Sequence, residues 1–243
     1  MNIFITGGTS GIGLSLANYY RQKGFTVGVC SRWAEEDESN FVYSVDVNNR
    51  ETVGFVLSKF SEKVGGIDII IANAGIGDAI KSREPNWEMT RKMVETNLLG
   101  VINTFEFGYK YLNQSGRMVA TASVAGMVGL PGIPGYSASK SGVIKLCESL
   151  SIDLESKGIS VTAICPGFID TPLTQKNSHK MPFLISSEKA AKLIAGAIEK
   201  RKALFIFPWQ MKFLMLFAEK VPRWFYRGLI KVMLPVLMPR RDK

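Results

Sequence analysis

The 243-residue chain has little histidine and little cysteine, and both shortages exclude kinds of functional site. His179 is the only histidine, which excludes histidine-based catalytic triads and histidine-rich metal sites. We expect this lone histidine to lie at the surface. The three cysteines, Cys30, Cys147 and Cys165, are odd in number, far apart and without metal-ligand spacing. We therefore expect buried thiols, no disulfide framework and no metal site.

Long apolar runs are also missing. No stretch of the chain reaches the roughly 18 uncharged apolar residues that a membrane-spanning helix needs. No signal peptide fits, because the first apolar, strand-like run begins within the first two residues, so we expect a cytoplasmic protein. There is no repeat, low-complexity run or linker. With 46% hydrophobic and 21% charged residues, the chain fits one folded domain with a large core.

Strand-like and helix-like patterns alternate along the chain. Apolar runs predict strands at residues 1–5, 25–30, 41–45, 67–72, 117–121, 159–164 and 203–207. Between them, helical patterns occupy residues 14–20, 50–64, 87–112, 136–157 and 188–200. This alternation predicts an α/β fold, a Rossmann-type doubly wound parallel sheet between two layers of helices. We expect a single domain over residues 1–208 and a C-terminal extension over residues 209–243.

The first predicted strand runs directly into a glycine-rich turn at residues 6–13, T-G-G-T-S-G-I-G. Glycine permits positive φ angles and close approach of the backbone to a ligand. The N-terminus of the following helix offers free N–H groups to a phosphate. Such a cluster can be no more than a tight turn, but its place after the first strand of a βαβ unit favours nucleotide binding. The predicted binding residues are Gly7, Thr9, Ser10, Gly11, Ile12 and Gly13.

A second pattern pairs Tyr136 with Lys140, four residues later, and places Ser123 thirteen residues upstream. Residues four apart share one face of a helix. A lysine charge there favours the phenolate and lowers the tyrosine pKa from about 10. A nearby serine hydroxyl can hold a substrate oxygen, which makes a site for moving a proton on or off that oxygen. Taken alone, the spacing also fits an inert pair on a helix surface.

These segments together resemble the classical short-chain dehydrogenase/reductase family. The resemblance runs from residue 6 to about residue 172. The matching residues occur in order and at the family's spacing, and they are the glycine turn 6–13, Asp46, Val47, Asn73, Ala74, Gly75, Asn97, Ser123, Tyr136, Lys140, Pro166 and Gly167. The resemblance implies an oxidoreductase that transfers a hydride between a nicotinamide cofactor and a carbonyl or secondary alcohol. A dinucleotide-binding sensor or scaffold without turnover is the alternative, and the intact Ser-Tyr-Lys set argues against it.

The resemblance also implies a role for each of four catalytic residues. Tyr136 is the general acid in reduction and the general base in oxidation. Lys140 lowers the tyrosine pKa and hydrogen-bonds the nicotinamide ribose. Ser123 orients the substrate oxygen, and Asn97 holds a water that connects Lys140 to solvent. The alternatives are that Ser123 is only a turn residue and that Asn97 is only a hydrogen-bonded residue at a helix kink.

The end of the second predicted strand bears on the choice of cofactor. In a doubly wound sheet this position meets the adenosine ribose, where an acidic residue favours NAD. This chain instead has Ser31 and Arg32, and a guanidinium suits a 2′-phosphate. We therefore predict NADP(H), with hydroxyl donors from Ser31 and from Thr9 or Ser10. NAD(H) stays open, because Arg32 can also be a solvated loop arginine.

The remaining cofactor contacts come from the resemblance. Asp46, with Val47, is implied to hold the adenine amino group, although aspartate also commonly begins turns. Asn73, Ala74 and Gly75 are implied to form the loop beside the adenosine ribose. After the sixth strand, the Pro166 and Gly167 turn leads to Ile169 and Thr171, which are implied to hold the nicotinamide carboxamide.

The C-terminal extension is basic and aromatic. It holds eight Lys or Arg residues against Glu219 and Asp242, together with Trp209, Phe213, Phe217, Trp224, Phe225 and Tyr226. Pro222, Pro235 and Pro239 predict that it divides into short helical pieces. Such segments suit the surface of an anionic membrane. Packing on the core, on a lid or on a second subunit fits equally well, and nucleic acid is not an expected partner because apolar residues dominate.

The substrate and the assembly are predicted only by class. The segment between Thr171 and Glu188 is partly apolar and would lie over the pocket, which favours a hydrophobic carbonyl or alcohol. The family resemblance implies a homodimer or homotetramer through the helices that carry Asn97 and Tyr136.

Overall fold

The computed structural model describes residues 1–77, 84–176 and 181–237, and all structural statements refer to these residues. His179 and Pro239 lie outside them. The strands are β1 (Asn2–Thr6), β2 (Thr26–Ser31), β3 (Val42–Ser44), β4 (Ile67–Ala72), β5 (Leu112–Thr121), β6 (Ser160–Pro166), β7 (Ile169–Asp170), β8 (Ile185–Ser186) and β9 (Leu204–Phe207). The helices are α1 (Gly11–Gln22), α2 (Arg50–Val64), α3 (Trp87–Val94), α4 (Gly100–Lys110), α5 (Pro134–Asp153), α6 (Ser187–Glu199), α7 (Trp209–Lys220) and α8 (Arg223–Leu237).

Seven of the described strands form one parallel sheet in the order β3-β2-β1-β4-β5-β6-β9. Strand order runs outward in both directions from the β1–β4 pair, which is the doubly wound arrangement. The short strands β7 and β8 pair separately beside it. The predicted Rossmann-type sheet is confirmed.

Alternate residues of each strand face opposite helix layers, because side chains alternate across a sheet. In β1, Ile3 and Ile5 belong to a core shared with α1 and α6, whereas Phe4 belongs to the core on the other face. That second core is built with α2, α4, α5 and α7. Strands buried on both faces explain why the sequence shows continuous apolar runs at these positions.

Local signals set several helix ends. The Asn49 side chain accepts a hydrogen bond from the Thr52 backbone N–H at 3.1 Å and so caps the start of α2. Gly65 ends the same helix with a φ of 78°, a left-handed conformation that favours glycine. Asn86 and Ser186 cap α3 and α6 in the same way as Asn49 caps α2.

The long helix predicted over residues 87–112 is wrong in two respects. A π-helical turn, Glu95–Leu99, separates α3 from α4. The helix then ends at Lys110, and β5 begins at Leu112 rather than at Arg117. The cause is tertiary: Leu112 pairs with Ile67 of β4, and the buried side chain of Asn97 in the π turn bonds to the loop after β4.

The extension follows the predicted proline pattern only in part. Pro222 separates α7 from α8, as predicted, but α8 continues through Pro235 to Leu237. Within the described ranges, no helix combines the length and apolar character needed to cross a bilayer.

Candidate active site

The glycine turn lies at the carboxyl end of β1, where the backbone must fold tightly. Gly7 has a φ of 65°, and its N–H donates to the Cys30 carbonyl at 2.7 Å. A Cβ on Gly13 would run into the carbonyl oxygen of Gly7 and lie 2.6 Å from Nδ2 of Asn73. Only glycine fits position 13, so this turn brings its backbone closer to neighbouring groups than any side chain allows.

The N-terminus of α1 is open toward this turn. Ser10 is the N-cap residue, yet its side chain makes no capping hydrogen bond, and no acidic residue lies in the first helical turn. The exposed Thr9 hydroxyl donates to Oγ of Ser31 at 2.8 Å, which joins the turn to the end of β2. Free helix N–H groups beside two hydroxyl groups form a site that suits phosphate.

Asn73, directly after β4, holds the glycine turn in place through its side-chain and backbone hydrogen bonds. Its Nδ2 donates to the carbonyl oxygens of Thr6 at 3.2 Å and Gly7 at 3.1 Å. Its Oδ1 accepts from the Thr121 hydroxyl at 3.1 Å. The backbone N–H groups of Asn73 and Ala74 donate to the Thr6 hydroxyl. These bonds connect the carboxyl ends of β1, β4 and β5.

Ser123 and Tyr136 are neighbours, with Ser123 buried and Tyr136 half-buried. Ser123 follows β5 and caps a 3₁₀ turn, Val124–Gly126, by accepting from the Ala125 N–H at 3.1 Å. Tyr136 lies in the first turn of α5, with its hydroxyl near the Ser123 side chain. Burial raises the pKa of the Tyr136 hydroxyl, and the neighbouring Ser123 side chain lowers it by less.

Lys140 is 4% exposed, and Nζ donates to the Thr121 carbonyl at 2.6 Å. The same Nζ lies 5.8 Å from the centroid of the Tyr136 ring. Burial lowers the pKa of Lys140 to about 8. The spacing of four residues therefore places both side chains together, as predicted, while the lowering of the Tyr136 pKa by Lys140 stays a prediction.

Asn97 projects from the π-helical turn and is fully buried. Its Oδ1 accepts from the Ile76 N–H at 2.7 Å, and its Nδ2 donates to the Ile76 carbonyl at 2.9 Å. Nδ2 also contacts Oγ of Ser139 at 3.2 Å. A Cβ on Gly75 would lie 3.1 Å from Oδ1 of Asn97 and 3.5 Å from Nζ of Lys140, so Gly75 separates these two groups.

The segment after β6 closes the site from the other side. A Cβ on Gly11 would lie 3.2 Å from Cγ2 of Thr171, so the glycine turn and Thr171 are neighbours. Ile169 and Thr171 are both buried, and Thr171 shares hydrogen bonds with Thr174. Gly167, after Pro166, lies against Met211 of α7.

The residues predicted to meet the adenosine lie at the open edge. Arg32 is exposed, directly after Ser31. The Val45 N–H donates to the Ser31 carbonyl at 3.0 Å, which places Asp46 beside the end of β2. Asp46 accepts from the Asn48 N–H at 2.9 Å, and the buried Val47 packs where α4 begins at Gly100. The predicted residues therefore form one continuous strip along the carboxyl ends of the strands.

The donor set fits a dinucleotide. A glycine-lined helix N-terminus suits a pyrophosphate, the hydroxyl groups and Arg32 suit a ribose phosphate, and the buried Lys140 lies at the inner end of the strip. In the described part of the chain, no group of three or more His, Cys, Asp and Glu side chains could hold a metal ion. The three cysteines are free and buried.

Comparison with known proteins decides the family. The sequence model of the family described as "short chain dehydrogenase" matches residues 1–182. The chain is a member of the short-chain dehydrogenase/reductase family. It is accordingly an NAD(P)-dependent dehydrogenase or reductase, whose family members act on small-molecule substrates and are commonly oligomeric.

Individual relatives agree with this assignment. An uncharacterized oxidoreductase of Myxococcus xanthus is 31% identical over 231 residues, which cover 90% of this chain and 91% of that protein. A 3-oxoacyl-[acyl-carrier-protein] reductase of Thermotoga maritima is 33% identical over 193 residues, or 72% of this chain and 77% of that protein. The ligand-free aldohexose dehydrogenase of Thermoplasma acidophilum has the same fold, with a TM-score of 0.75, 22% identity and coverage of 84% of this chain and 91% of that one.

Several residues of the dehydrogenase site were missed by sequence reasoning. Thr121 binds Lys140 through its carbonyl and Asn73 through its hydroxyl. Ser139 contacts Asn97, and the buried Cys165 lies near the Ser123 backbone. None has a distinctive spacing, and a backbone carbonyl carries no sequence signal at all.

Proposed function

We propose that this enzyme is an NADP(H)-dependent carbonyl reductase or alcohol dehydrogenase in which Tyr136 is the general acid and base. The observation that carries the proposal is the cluster of the half-buried Tyr136 with the buried Ser123 and Lys140 at the carboxyl end of the sheet. Burial of the Lys140 ammonium group and the Ser123 hydroxyl costs free energy, and perturbed pKa values mark functional sites.

A bound nicotinamide cofactor would supply the hydride for reduction of the carbonyl group. The Tyr136 hydroxyl gives its proton to the carbonyl oxygen, which becomes the alcohol. Ser123 lies near that hydroxyl, so its own hydroxyl can donate to the same substrate oxygen and orient it. In oxidation the tyrosinate takes the proton back.

Lys140 has donors to spare for a second task. An ammonium group carries three N–H donors, and the Thr121 carbonyl takes one of them. We propose that another binds the nicotinamide ribose and that the charge lowers the Tyr136 pKa when the cofactor is bound. Gly75 lies between the Asn97 side chain and Nζ of Lys140. Because glycine has no side chain, a water that relays protons from solvent could bind there.

Cofactor preference and the adenosine contacts belong to the same proposal. Arg32 and the Thr9–Ser31 pair favour the 2′-phosphate of NADP(H) over the bare ribose of NAD(H). The glycine turn would hold the pyrophosphate, Asp46 and Val47 the adenine, and the loop of Asn73, Ala74 and Gly75 the adenosine ribose. Ile169 and Thr171, beyond Pro166 and Gly167, would hold the carboxamide.

We propose a hydrophobic substrate because an open groove of about 410 Å³ with a partly apolar lining lies beside the site; Ser123, Tyr136 and Lys140 are not part of that lining. The turn after Ser123 and the start of α5 form this groove, and its lining includes Met127, Val128 and Leu130. The Thermotoga maritima relative is named as a 3-oxoacyl-[acyl-carrier-protein] reductase, so 3-oxoacyl thioesters are one class to test. Part of the segment predicted to cover the pocket, residues 177–180, lies outside the described residues.

We also propose a homodimer or homotetramer through α4 and α5. Apolar side chains are exposed on this face, including Leu99 and Ile102 at the start of α4 and Ile152 near the end of α5. A cytoplasmic location with a peripheral membrane contact through residues 209–243 completes the proposal.

The test compares wild type with Tyr136→Phe on a panel of apolar ketones, aldehydes and 3-oxoacyl thioesters with NADPH. Wild type should turn over at least one compound. The variant should lose at least about a thousandfold in kcat and keep its NADPH affinity, because it removes the transferable proton alone. Tyr19→Phe, on the outer side of α1, is the control and should match wild type.

Two results would overturn the assignment. Substantial residual turnover in Tyr136→Phe would remove Tyr136 from the catalytic role. Tight NADPH binding by wild type without turnover of any class of carbonyl or alcohol would instead favour the alternative, a dinucleotide-binding sensor or scaffold.

A further inference from the structure

Helix α7 is apolar on two opposite faces, and the protein covers only one of them. Met211 and Met215 are 6% and 8% exposed and belong to the main core. On the far side of the helix, Trp209 and Phe213 are each 67% exposed, and Phe217 is 66% exposed. Apolar helix faces are normally buried. The exposed aromatic face of α7 is therefore expected to contact another apolar environment.

Three aromatic rings lie along the exposed side of α7. Trp209, Phe213 and Phe217 follow one another at intervals of four residues and so form one ridge along the helix. The rings of Trp209 and Phe213 meet edge to face at 6.1 Å. Just past Pro222, Trp224 is 75% exposed and Phe225 48% exposed. We define the aromatic ridge as Trp209, Phe213, Phe217, Trp224 and Phe225.

Positive charge flanks the aromatic ridge. Lys212, Lys220, Arg223 and Arg227 are all exposed on α7 and α8, where Glu219 is the single acidic residue described. None of these four basic side chains forms an ion pair with any residue that the structure describes. Basic side chains beside tryptophan and phenylalanine are the combination that binds the headgroup region of an anionic bilayer.

Charge also argues against a second copy as the occupant. A symmetric dimer through this face would bring two copies of the same basic cluster together, which is unfavourable. A bilayer rich in anionic lipid neutralises the cluster and accepts the rings at once. Tryptophan is particularly favoured at the boundary between headgroups and acyl chains.

We propose that the aromatic ridge and its flanking basic residues bind an anionic lipid bilayer and hold the catalytic site at its surface. This deepens the peripheral contact in the proposed function and does not depend on the redox chemistry. Helix α7 contacts the turn after Ser123, and Met211 lies against Gly167. The Tyr226 hydroxyl donates to the Gly129 carbonyl at 2.8 Å, which fastens α8 to the wall of the groove. Docking therefore brings the groove next to the lipid.

The experiment is vesicle flotation of the full chain with phosphatidylcholine alone and with roughly one third phosphatidylserine added. Wild type should float only with the anionic vesicles, and less so in about 0.5 M salt. The double variant Phe213→Gln/Phe217→Gln should bind at least about tenfold more weakly, because two rings no longer enter the bilayer. Phe55→Gln is the matched control, since Phe55 on α2 is also 67% exposed, and it should bind like wild type.

A second double variant tests the contribution of the basic residues. Arg223→Gln/Arg227→Gln should weaken binding to anionic vesicles several-fold, whereas Lys192→Gln on the exposed side of α6 should not. NADPH binding, measured on the same preparations, should be unchanged in every variant. That readout separates failure of the lipid proposal from failure of the dinucleotide assignment.

Three outcomes would overturn the lipid proposal. One is no flotation of wild type with anionic vesicles. Another is an equal loss in Phe55→Gln, which would mean that any exposed ring has the same effect. The third is a smaller oligomer for Phe213→Gln/Phe217→Gln by light scattering without lipid, which would identify the occupant as a second copy of the chain.

Discussion

The ammonium group of Lys140 donates to the backbone carbonyl of Thr121 at 2.6 Å in a site where Lys140 is only 4% exposed. This carbonyl lies at the carboxyl end of β5, two residues before Ser123. The bond joins the helix that carries Tyr136 to the strand that leads to Ser123. This hydrogen bond compensates only part of the free-energy cost of burying the Lys140 charge. The pKa of Lys140, lowered to about 8, reflects the part that is not compensated.

This lowered pKa predicts a pH-dependent stability. Between about pH 8 and pH 10.5, the unfolded chain keeps the Lys140 proton while the folded protein has lost it. The free energy of unfolding therefore rises with pH through this window. Below about pH 8, Lys140 is protonated in both states and adds no pH dependence. Lys140→Met lacks this rise. Urea unfolding of both proteins without cofactor, from pH 7 to pH 9.5, measures the difference, which should reach the order of 1 kcal/mol.

The difference between the two proteins is the relevant quantity, because other groups titrate in the same range. Burial raises the pKa values of Cys30, Cys147 and Cys165 to about 12, so wild-type stability alone also contains an opposing fall above pH 9. A wild-type minus variant difference that stays constant from pH 7 to pH 9.5 would contradict a lowered Lys140 pKa.

Arg32→Ala should change cofactor selectivity. Loss of the guanidinium removes charge-assisted hydrogen bonds to a 2′-phosphate, so the Kd for NADPH should rise about tenfold to a hundredfold. The Kd for NADH should stay within about twofold, since NADH has no 2′-phosphate. Cofactor fluorescence titrations measure both, and Arg91→Ala, an exposed arginine on α3, is the control. A preference of wild type for NADH, or equal effects on both cofactors, would reverse the cofactor assignment.

Gly13→Ala should damage both folding and cofactor binding. The added methyl group meets the Gly7 carbonyl and the Asn73 amide, which belong to the rigid turn, so a loss of about 1–3 kcal/mol in unfolding free energy is expected. Calorimetry and NADPH titration measure the two effects. Gly196→Ala is the opposite case, because its methyl group meets nothing within 4 Å inside α6. It should stabilise the protein by about 0.5–1 kcal/mol. Equal effects of the two variants would contradict this account of the turn.

Met211→Ala should show that α7 belongs to the folded core. Met211 is buried against Gly167, and its truncation should cost about 2–5 kcal/mol in unfolding free energy. Leu214→Ala, at a position 53% exposed, should change stability by no more than about 0.5 kcal/mol. Denaturant unfolding compares the two. A negligible effect of Met211→Ala would instead support residues 209–243 as an extension separate from a domain of residues 1–208.

Sequence reasoning succeeded where chemistry depends on local spacing. Tyr136 and Lys140 are four positions apart, which places both on one face of a helix regardless of the rest of the fold. The glycine turn follows a strand and opens a helix, so its place at the end of β1 could be predicted. Reasoning failed on the uninterrupted helix over residues 87–112, because the π-helical turn has no local signature, and at Pro235, which α8 includes.

The sequence by itself determined the fold class, the family and the residue types of the candidate site, because apolar periodicity and short motifs are local properties of the chain. Only the tertiary structure decided which groups surround those residues. The carbonyl of Thr121 beside Lys140, the Asn97 bonds to Ile76 and the burial that shifts both pKa values all join segments distant in sequence. The same holds for α7, since its two apolar faces look alike in sequence and only packing decided which one stays exposed.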